Sequence, residues 1–169
     1  MAGNNSEREF AVSFKVSEEG VRVAECFEER LCRLLEERGV LVGGVVEELE
    51  AAYLVAKCRA SVGGECGWVR ALSLLSAPES VDLFLVYYDL RRRGRRVVRG
   101  YRRRTLILYR GSSRPVEVLV LSEGSLVTIR ELVEWSRLAS GDGKDPVVAV
   151  VDGHGSVTYY EARAVTTLV

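Results

Sequence analysis

The chain has 169 residues, of which 47% are hydrophobic, and its 24 basic and 24 acidic side chains give a formal net charge of zero. This composition excludes wholesale disorder, and the length fits one domain or two small ones. The longest apolar runs have about six residues, whereas a membrane span needs about 20, and the N-terminal segment has no apolar core. We therefore expect a soluble, cytoplasmic protein with no membrane partner.

The first part of the chain predicts a mainly helical domain with short strands, which we place over residues 1–75. Helical periodicity predicts helices over 25–37, over "EELEAAYLVAKC" and, in a short form, over "WVRALSLL". The segment "VLVGGVV" predicts a strand that bends at its glycine pair. Residues 59–66 predict a short strand or a turn.

The four cysteines of this part, at 26, 32, 58 and 66, lack the two-residue spacing of a zinc site, and the one histidine lies far away. We therefore expect no metal and no cofactor. Cys26 and Cys32 fall on a helical pattern and are interpreted as core residues. A disulfide stays open, because the cytosol of hyperthermophiles permits disulfides, and a chain without glutamine is typical of heat-adapted proteins.

Residues 76–169 predict a mixed α/β domain. Ser76 and Glu79 have the spacing of a capping box and would begin a helix that runs to Gly94. Strands are predicted over 96–99, 105–109 and 116–121, followed by a helix with a second capping box in "TIRE". "PVVAVVD", a "GHG" turn and "SVTYYEA" predict a closing hairpin. The fold class is therefore α+β, a small mainly helical domain followed by a mixed α/β domain.

Charge is distributed unevenly between the two parts. Residues 1–90 carry 9 basic and 16 acidic side chains, whereas residues 91–169 carry 15 basic and 8 acidic ones. Such an asymmetry is expected if the second part binds a polyanion, or if the two parts neutralise each other across an interface. Arg102, Arg103 and Arg104 enter a predicted strand, where guanidinium groups could bind RNA phosphates or an acidic partner chain.

Three segments of the second domain carry a family resemblance: "LVYYDLRRRGRRVVRG", "LILY" and "RLASGDGKDPVVAVVDGHGSVTYYEA". They resemble the C-terminal domain of the archaeal tRNA-splicing endonucleases over about residues 81–162. "LEAAYLVAKC" is weakly similar to the N-terminal domain of that family. The resemblance implies metal-free RNA cleavage, in which a ribose 2′-hydroxyl attacks the phosphate and leaves a 2′,3′-cyclic phosphate and a 5′-hydroxyl.

In that family a tyrosine, a histidine and a lysine remove the nucleophile's proton, protonate the leaving oxygen and stabilise the phosphorane. The tyrosine corresponds to Tyr109 and the lysine to Lys144, but the position of the histidine holds Pro115, which offers no proton. The resemblance therefore implies a structural, non-catalytic subunit that joins a catalytic chain in a heterotetramer of two plus two chains acting on precursor tRNA. Tyr109 would then be a core or interface residue, and Lys144 a solvated charge.

Arg137 corresponds to a family arginine that grips the bulged nucleotide, although a cation near a helix C-terminus has a structural explanation too. The end of the chain is predicted to be an interface, because an apolar edge strand needs a cover. The interface residues are Tyr159, Tyr160, Leu168 and Val169. Two other functions stay open: an active metal-free endoribonuclease of the same family with a displaced general acid, and an unrelated module whose arginines bind RNA.

Overall fold

The structure is a computed structural model that describes residues 10–163. It divides the chain into two compact units, with the division between Pro78 and Glu79. Among the described residues, no helix is long and apolar enough to cross a membrane.

The N-terminal unit is a five-stranded sheet with three helices. The strands are β1 (Val12–Ser17), β2 (Gly20–Cys26), β3 (Leu41–Val42), β4 (Val45–Val46) and β5 (Ala60–Val62), and the helices are α1 (Glu29–Glu37), α2 (Glu48–Ala56) and α3 (Trp68–Leu72). The strand order is β3-β4-β2-β1-β5, with β5 parallel to β1 and the other neighbours antiparallel. Apolar residues of α2 form the centre of the core: Leu49, Ala51, Ala52 and Val55 are completely buried.

Two predictions for this unit are wrong in detail. The helix predicted over 25–37 begins only at Glu29, because residues 20–26 pair with β1 as a strand. Cys26 is exposed and Cys32 half-buried, so they are not core residues. Each cysteine is in a disulfide, Cys26 with Cys32 and Cys58 with Cys66, which bears out the alternative that the sequence left open.

The C-terminal unit is a second five-stranded sheet between two helices, and with it the α+β class is confirmed. Its elements are α4 (Ser80–Arg92), β6 (Arg96–Arg99), β7 (Thr105–Tyr109), β8 (Val116–Ser122), α5 (Ile129–Gly141), β9 (Asp145–Val151) and β10 (Val157–Glu161). The order is β10-β9-β8-β7-β6, and only β8 and β9 are parallel. These strands match the predicted segments closely.

Side chains alternate between the two faces of this sheet. On one face Leu119, Leu121 and Val148 pack against Trp135 and Ala139 of α5. The intervening residues Val118 and Val120 are also buried and face the α4 side. The central strands are covered on both faces, which explains their nearly continuous apolar sequences.

The two predicted capping boxes have different outcomes. Thr128 caps α5, with its hydroxyl accepting from the backbone N–H of Glu131 and the Glu131 carboxylate accepting from the N–H of Thr128. The box proposed at Ser76 is wrong, since α4 begins at Ser80 without a side-chain cap. The Ser76 hydroxyl instead donates to Glu48 at 2.6 Å, a contact between distant parts of the N-terminal unit.

Candidate functional site

The three positions assigned to the family's catalytic groups come together at one end of the C-terminal sheet. Tyr109 ends β7, Pro115 directly precedes β8, and Lys144 directly precedes β9. These three strands are consecutive neighbours in the sheet. The backbone N–H of Asp145 donates to the carbonyl of Pro115 at 2.9 Å, which fixes the second position beside the third.

Lys144 is held inside a polar cluster. Its Nζ donates to the Tyr101 hydroxyl at 3.1 Å and to Asp142 Oδ2 at 3.2 Å, and it lies 3.7 Å from Glu117 Oε2. Its side chain is only 14% exposed, so the interpretation as a solvated charge is wrong. Burial acts to lower the pKa of Lys144, but hydrogen bonds with Tyr101 and Asp142 outweigh it, so the pKa lies above its ordinary value.

Glu117 is the buried anion of this cluster, with a fully buried side chain. It accepts two hydrogen bonds from the Arg102 guanidinium, at 2.9 and 2.7 Å, and one from the Trp135 indole at 3.0 Å. Arg102 also donates to Asp142 at 2.7 Å. Hydrogen bonds from Tyr101, Arg102 and Lys144 hold the pKa of Asp142 well below its usual range.

The electrostatic consequence is a balanced set of two cations and two anions. Lys144 and Arg102 face Glu117 and Asp142, and the Tyr101 ring lies under both cations, 4.8 and 4.6 Å from its centroid. A cation that is already neutralised by carboxylates adds little stabilisation to a developing phosphorane. The arrangement therefore anchors the loop before β7 better than it serves phosphate chemistry.

Tyr109 lies outside the cluster. Its side chain is exposed to 40%, and the guanidinium of Arg96 on the neighbouring strand lies 5.0 Å from the centroid of its ring. Pro115, between Tyr109 and Lys144, brings no ionisable group. Of the three assigned positions, two therefore carry an ionisable side chain, an exposed phenol and a lysine paired with carboxylates, and the position between them carries none.

Two family models match this chain. One is the catalytic C-terminal domain of tRNA intron endonuclease, over residues 81–159, and the other is the SEN2-like N-terminal domain of tRNA-intron endonuclease, over residues 11–77. The chain belongs to the tRNA-intron endonuclease family. A search of the curated proteins finds no match.

The four arginines that the sequence analysis assigned to RNA contacts have different environments in the structure. Arg102 is engaged with two carboxylates, so we transfer the phosphate-contact hypothesis to its neighbours. Arg103 is exposed and pairs with Glu79 at 2.6 Å, whereas Arg104 is half-buried and has a left-handed backbone with φ of 57°. Arg137 is exposed on α5 and lines a cavity of about 450 Å³.

The residues assigned to the interface between endonuclease subunits also differ from one another in burial and in hydrogen bonding. Tyr159 is half-buried, and its hydroxyl donates to Asp89 of α4 at 2.9 Å. Burial and that hydrogen bond raise the pKa of Tyr159 above its usual range. Tyr160 is 56% exposed on β10, which is an edge strand of the sheet that residues 79–163 form. Leu168 and Val169 lie outside the described residues.

Sequence reasoning missed Tyr101, Glu117, Trp135 and Asp142 as parts of the site. One signal was present, since Glu117 interrupts the apolar strand "VEVLVL", and a carboxylate buried in such a strand requires partners. Within residues 10–163 no group of three or more His, Cys, Asp or Glu side chains could hold a metal ion.

Proposed function

We propose that this chain is the structural, non-catalytic subunit of a tRNA-splicing endonuclease that removes introns from precursor tRNA. The observation that carries the proposal is Pro115, which stands between Tyr109 and Lys144 where the family places its histidine. Proline has no proton to give to the leaving 5′-oxygen. A positioned general acid contributes about a hundred- to ten-thousand-fold in rate. Among the described residues the one histidine, His154, lies in the turn between β9 and β10, at the other end of these strands.

The state of Lys144 supports the same function. A lysine that stabilises a phosphorane must direct an uncompensated charge at the phosphate. Here the ammonium group donates to Tyr101 and Asp142 and lies near buried Glu117. In this chain the charge of Lys144 instead anchors the loop that carries Arg103 and Arg104, and we assign these two arginines, with Arg137, to contacts with precursor tRNA.

Catalysis then requires a second chain. We assign the exposed edge strand β10 and Tyr160 to that interface, in a heterotetramer of two structural and two catalytic chains. An exposed edge offers unpaired N–H and C=O groups to a partner strand. The proposed setting is the cytoplasm of a heat-adapted archaeon, where intracellular disulfides such as the two of this chain persist.

The test is cleavage of an intron-containing precursor tRNA by the purified chain, followed by detection of 2′,3′-cyclic phosphate ends. The chain alone should produce none, and addition of the catalytic chain that co-purifies with it should restore cutting. Cleavage by the chain alone that is abolished by Tyr109→Phe would establish the alternative, an active endoribonuclease with a displaced acid.

A further inference from the structure

Three hydrogen-bond donors of the C-terminal unit converge on a single carboxylate oxygen. The Lys144 ammonium donates to Asp142 Oδ2 at 3.2 Å, and the Arg102 guanidinium donates to the same atom at 2.7 Å. The Tyr101 hydroxyl donates to it as well. Two cations and a hydroxyl around one oxygen form an oxyanion site, because guanidinium and ammonium groups bind carboxylate and phosphate oxygens through the same charge-assisted hydrogen bonds.

The turn after α5 positions this carboxylate. Asp142 is the first residue after the helix, and Gly143 follows it in the left-handed conformation, with φ of 74°. The N–H of Gly143 donates to the carbonyl of Ser140 at 3.0 Å, and the N–H of Lys144 donates to the carbonyl of Ala139 at 2.9 Å. These two bonds form a Schellman motif, in which glycine adopts the left-handed conformation without steric cost. The end of the helix itself therefore places the carboxylate of Asp142 against Lys144.

Without Asp142 the same donors would carry an uncompensated positive charge. The other anion of the cluster, buried Glu117, accepts from Arg102 through both of its oxygens, at 2.9 and 2.7 Å. Lys144 lies farther from Glu117, at 3.7 Å, so its charge depends mainly on Asp142 for compensation. Asp142 and Tyr101 are exposed, so a solute can reach the position of this oxygen from solvent. The position is therefore suited to an anion that comes from outside the chain.

We propose that Lys144, Arg102 and Tyr101 form a phosphate site that the chain closes with its own carboxylate, that of Asp142. This carboxylate takes the place of a phosphate oxygen and keeps phosphate groups away from Lys144. The purpose of the closure rests on the proposed function. A chain that has Pro115 in place of an acid cannot use a bound scissile phosphate, and an open site would compete with the catalytic chain for the substrate.

The test is a titration of the full-length chain with inorganic phosphate at constant ionic strength, followed by the amide NMR signals of Gly143 and Lys144. Asp142→Ala should bind phosphate about tenfold more tightly than the unmodified chain, or better, as expected from new hydrogen bonds to a charged group. A ribodinucleotide with one phosphodiester, titrated in parallel, distinguishes free phosphate from the RNA backbone as the excluded group. Asp142→Asn, which removes the charge but keeps an acceptor oxygen, should gain less affinity, and it supplies the test if circular dichroism shows that Asp142→Ala does not fold.

Two controls separate the site from a change in net charge. Glu134→Gln also removes one exposed carboxylate, from α5, and should leave the affinity for phosphate unchanged. Asp142→Ala/Lys144→Met should lose the gain, because the cation that binds the phosphate is then absent.

The absence of a gain in both Asp142 variants, with both ligands, would overturn the proposal and leave Asp142 as an ion-pair partner that only anchors the loop before β7. An equal gain in Glu134→Gln, or a gain that persists with Lys144→Met, would overturn it too. Cleavage by the unmodified chain alone would refute the non-catalytic role and leave the phosphate titration unaffected, so the two failures are distinguishable.

Discussion

The cluster around Glu117 should dominate the stability of the C-terminal unit, and Glu117→Gln tests this. The substitution keeps the shape of the side chain and an acceptor for Trp135, but it removes the buried negative charge. Arg102 loses its two charge-assisted hydrogen bonds, and one cation is left without compensation. Breaking a buried ion pair by removing one partner costs about 3–5 kcal/mol, so we expect a loss of this size in the free energy of unfolding.

Urea unfolding followed by tryptophan fluorescence is the appropriate assay, because the chain has two tryptophans and one reports on each unit. In a Trp68→Phe background the remaining indole is that of Trp135, which donates to Glu117 at 3.0 Å. The urea concentration at the midpoint should fall, while the slope of the unfolding free energy against urea stays unchanged, because the same surface is exposed on unfolding. Glu134→Gln, the same substitution at an exposed position of α5, should change stability by less than about 0.5 kcal/mol.

A double variant tests whether the charges of the cluster are coupled. Glu117→Gln/Lys144→Met removes one anion and one cation, so the remaining Arg102 and Asp142 balance each other. It should be less destabilised than the sum of its single variants by about 0.5–3 kcal/mol, as expected for residues in one network. A loss below about 1 kcal/mol for Glu117→Gln, or additive effects in the double variant, would refute the account of the cluster.

Three further predictions concern pH, redox state and assembly. Because the pKa of Asp142 is depressed in the folded chain, its contribution to stability is present above the ordinary pKa of about 3.9 and is lost as the pH falls below it. Below about pH 4 the melting temperature of Asp142→Asn should therefore fall less steeply than that of the unmodified chain. Cys58→Ser/Cys66→Ser should lower stability of the N-terminal unit by about 2–3 kcal/mol, the value for a short closed loop, as measured by Trp68 fluorescence in urea, and an unchanged midpoint would contradict this. Deletion of Val165–Val169 should release the catalytic chain in a co-purification assay, whereas an intact complex would exclude the predicted tail interface.

Local sequence signals predicted the C-terminal unit well because its elements depend on short-range pattern. The apolar run of β9 and the capping box at Thr128 each specify one element within a few residues. The prediction for the N-terminal hairpin was wrong because β1 and β2 stabilise each other through pairing, which a local pattern does not reveal. The apolar stripe that begins at Phe27 also extended the predicted helix into the end of β2. Phe27 is in fact exposed.

The position of the candidate site was predictable from the sequence, but the pairing of Lys144 with carboxylates was not. Tyr109, Pro115 and Lys144 could be placed by resemblance, and the sheet does bring them to one end. The neutralisation of Lys144 depends on Tyr101 and Glu117, which lie 43 and 27 positions away along the chain. No periodicity or spacing connects residues so distant, since only the completed sheet and the loop before β7 place them together.

The most direct test of the non-catalytic role is the single-turnover rate of precursor-tRNA cleavage by the assembled endonuclease with Tyr109→Phe in this chain only. The variant keeps the aromatic ring, whose centroid lies 5.0 Å from the Arg96 guanidinium, and removes the hydroxyl alone. If this chain supplies no catalytic group, the rate should stay within about threefold of the unmodified complex, far from the hundredfold loss expected for a missing acid or base. A hundredfold or greater decrease, with assembly and RNA affinity unchanged, would show that Tyr109 takes part in the chemistry and would contradict the proposed function.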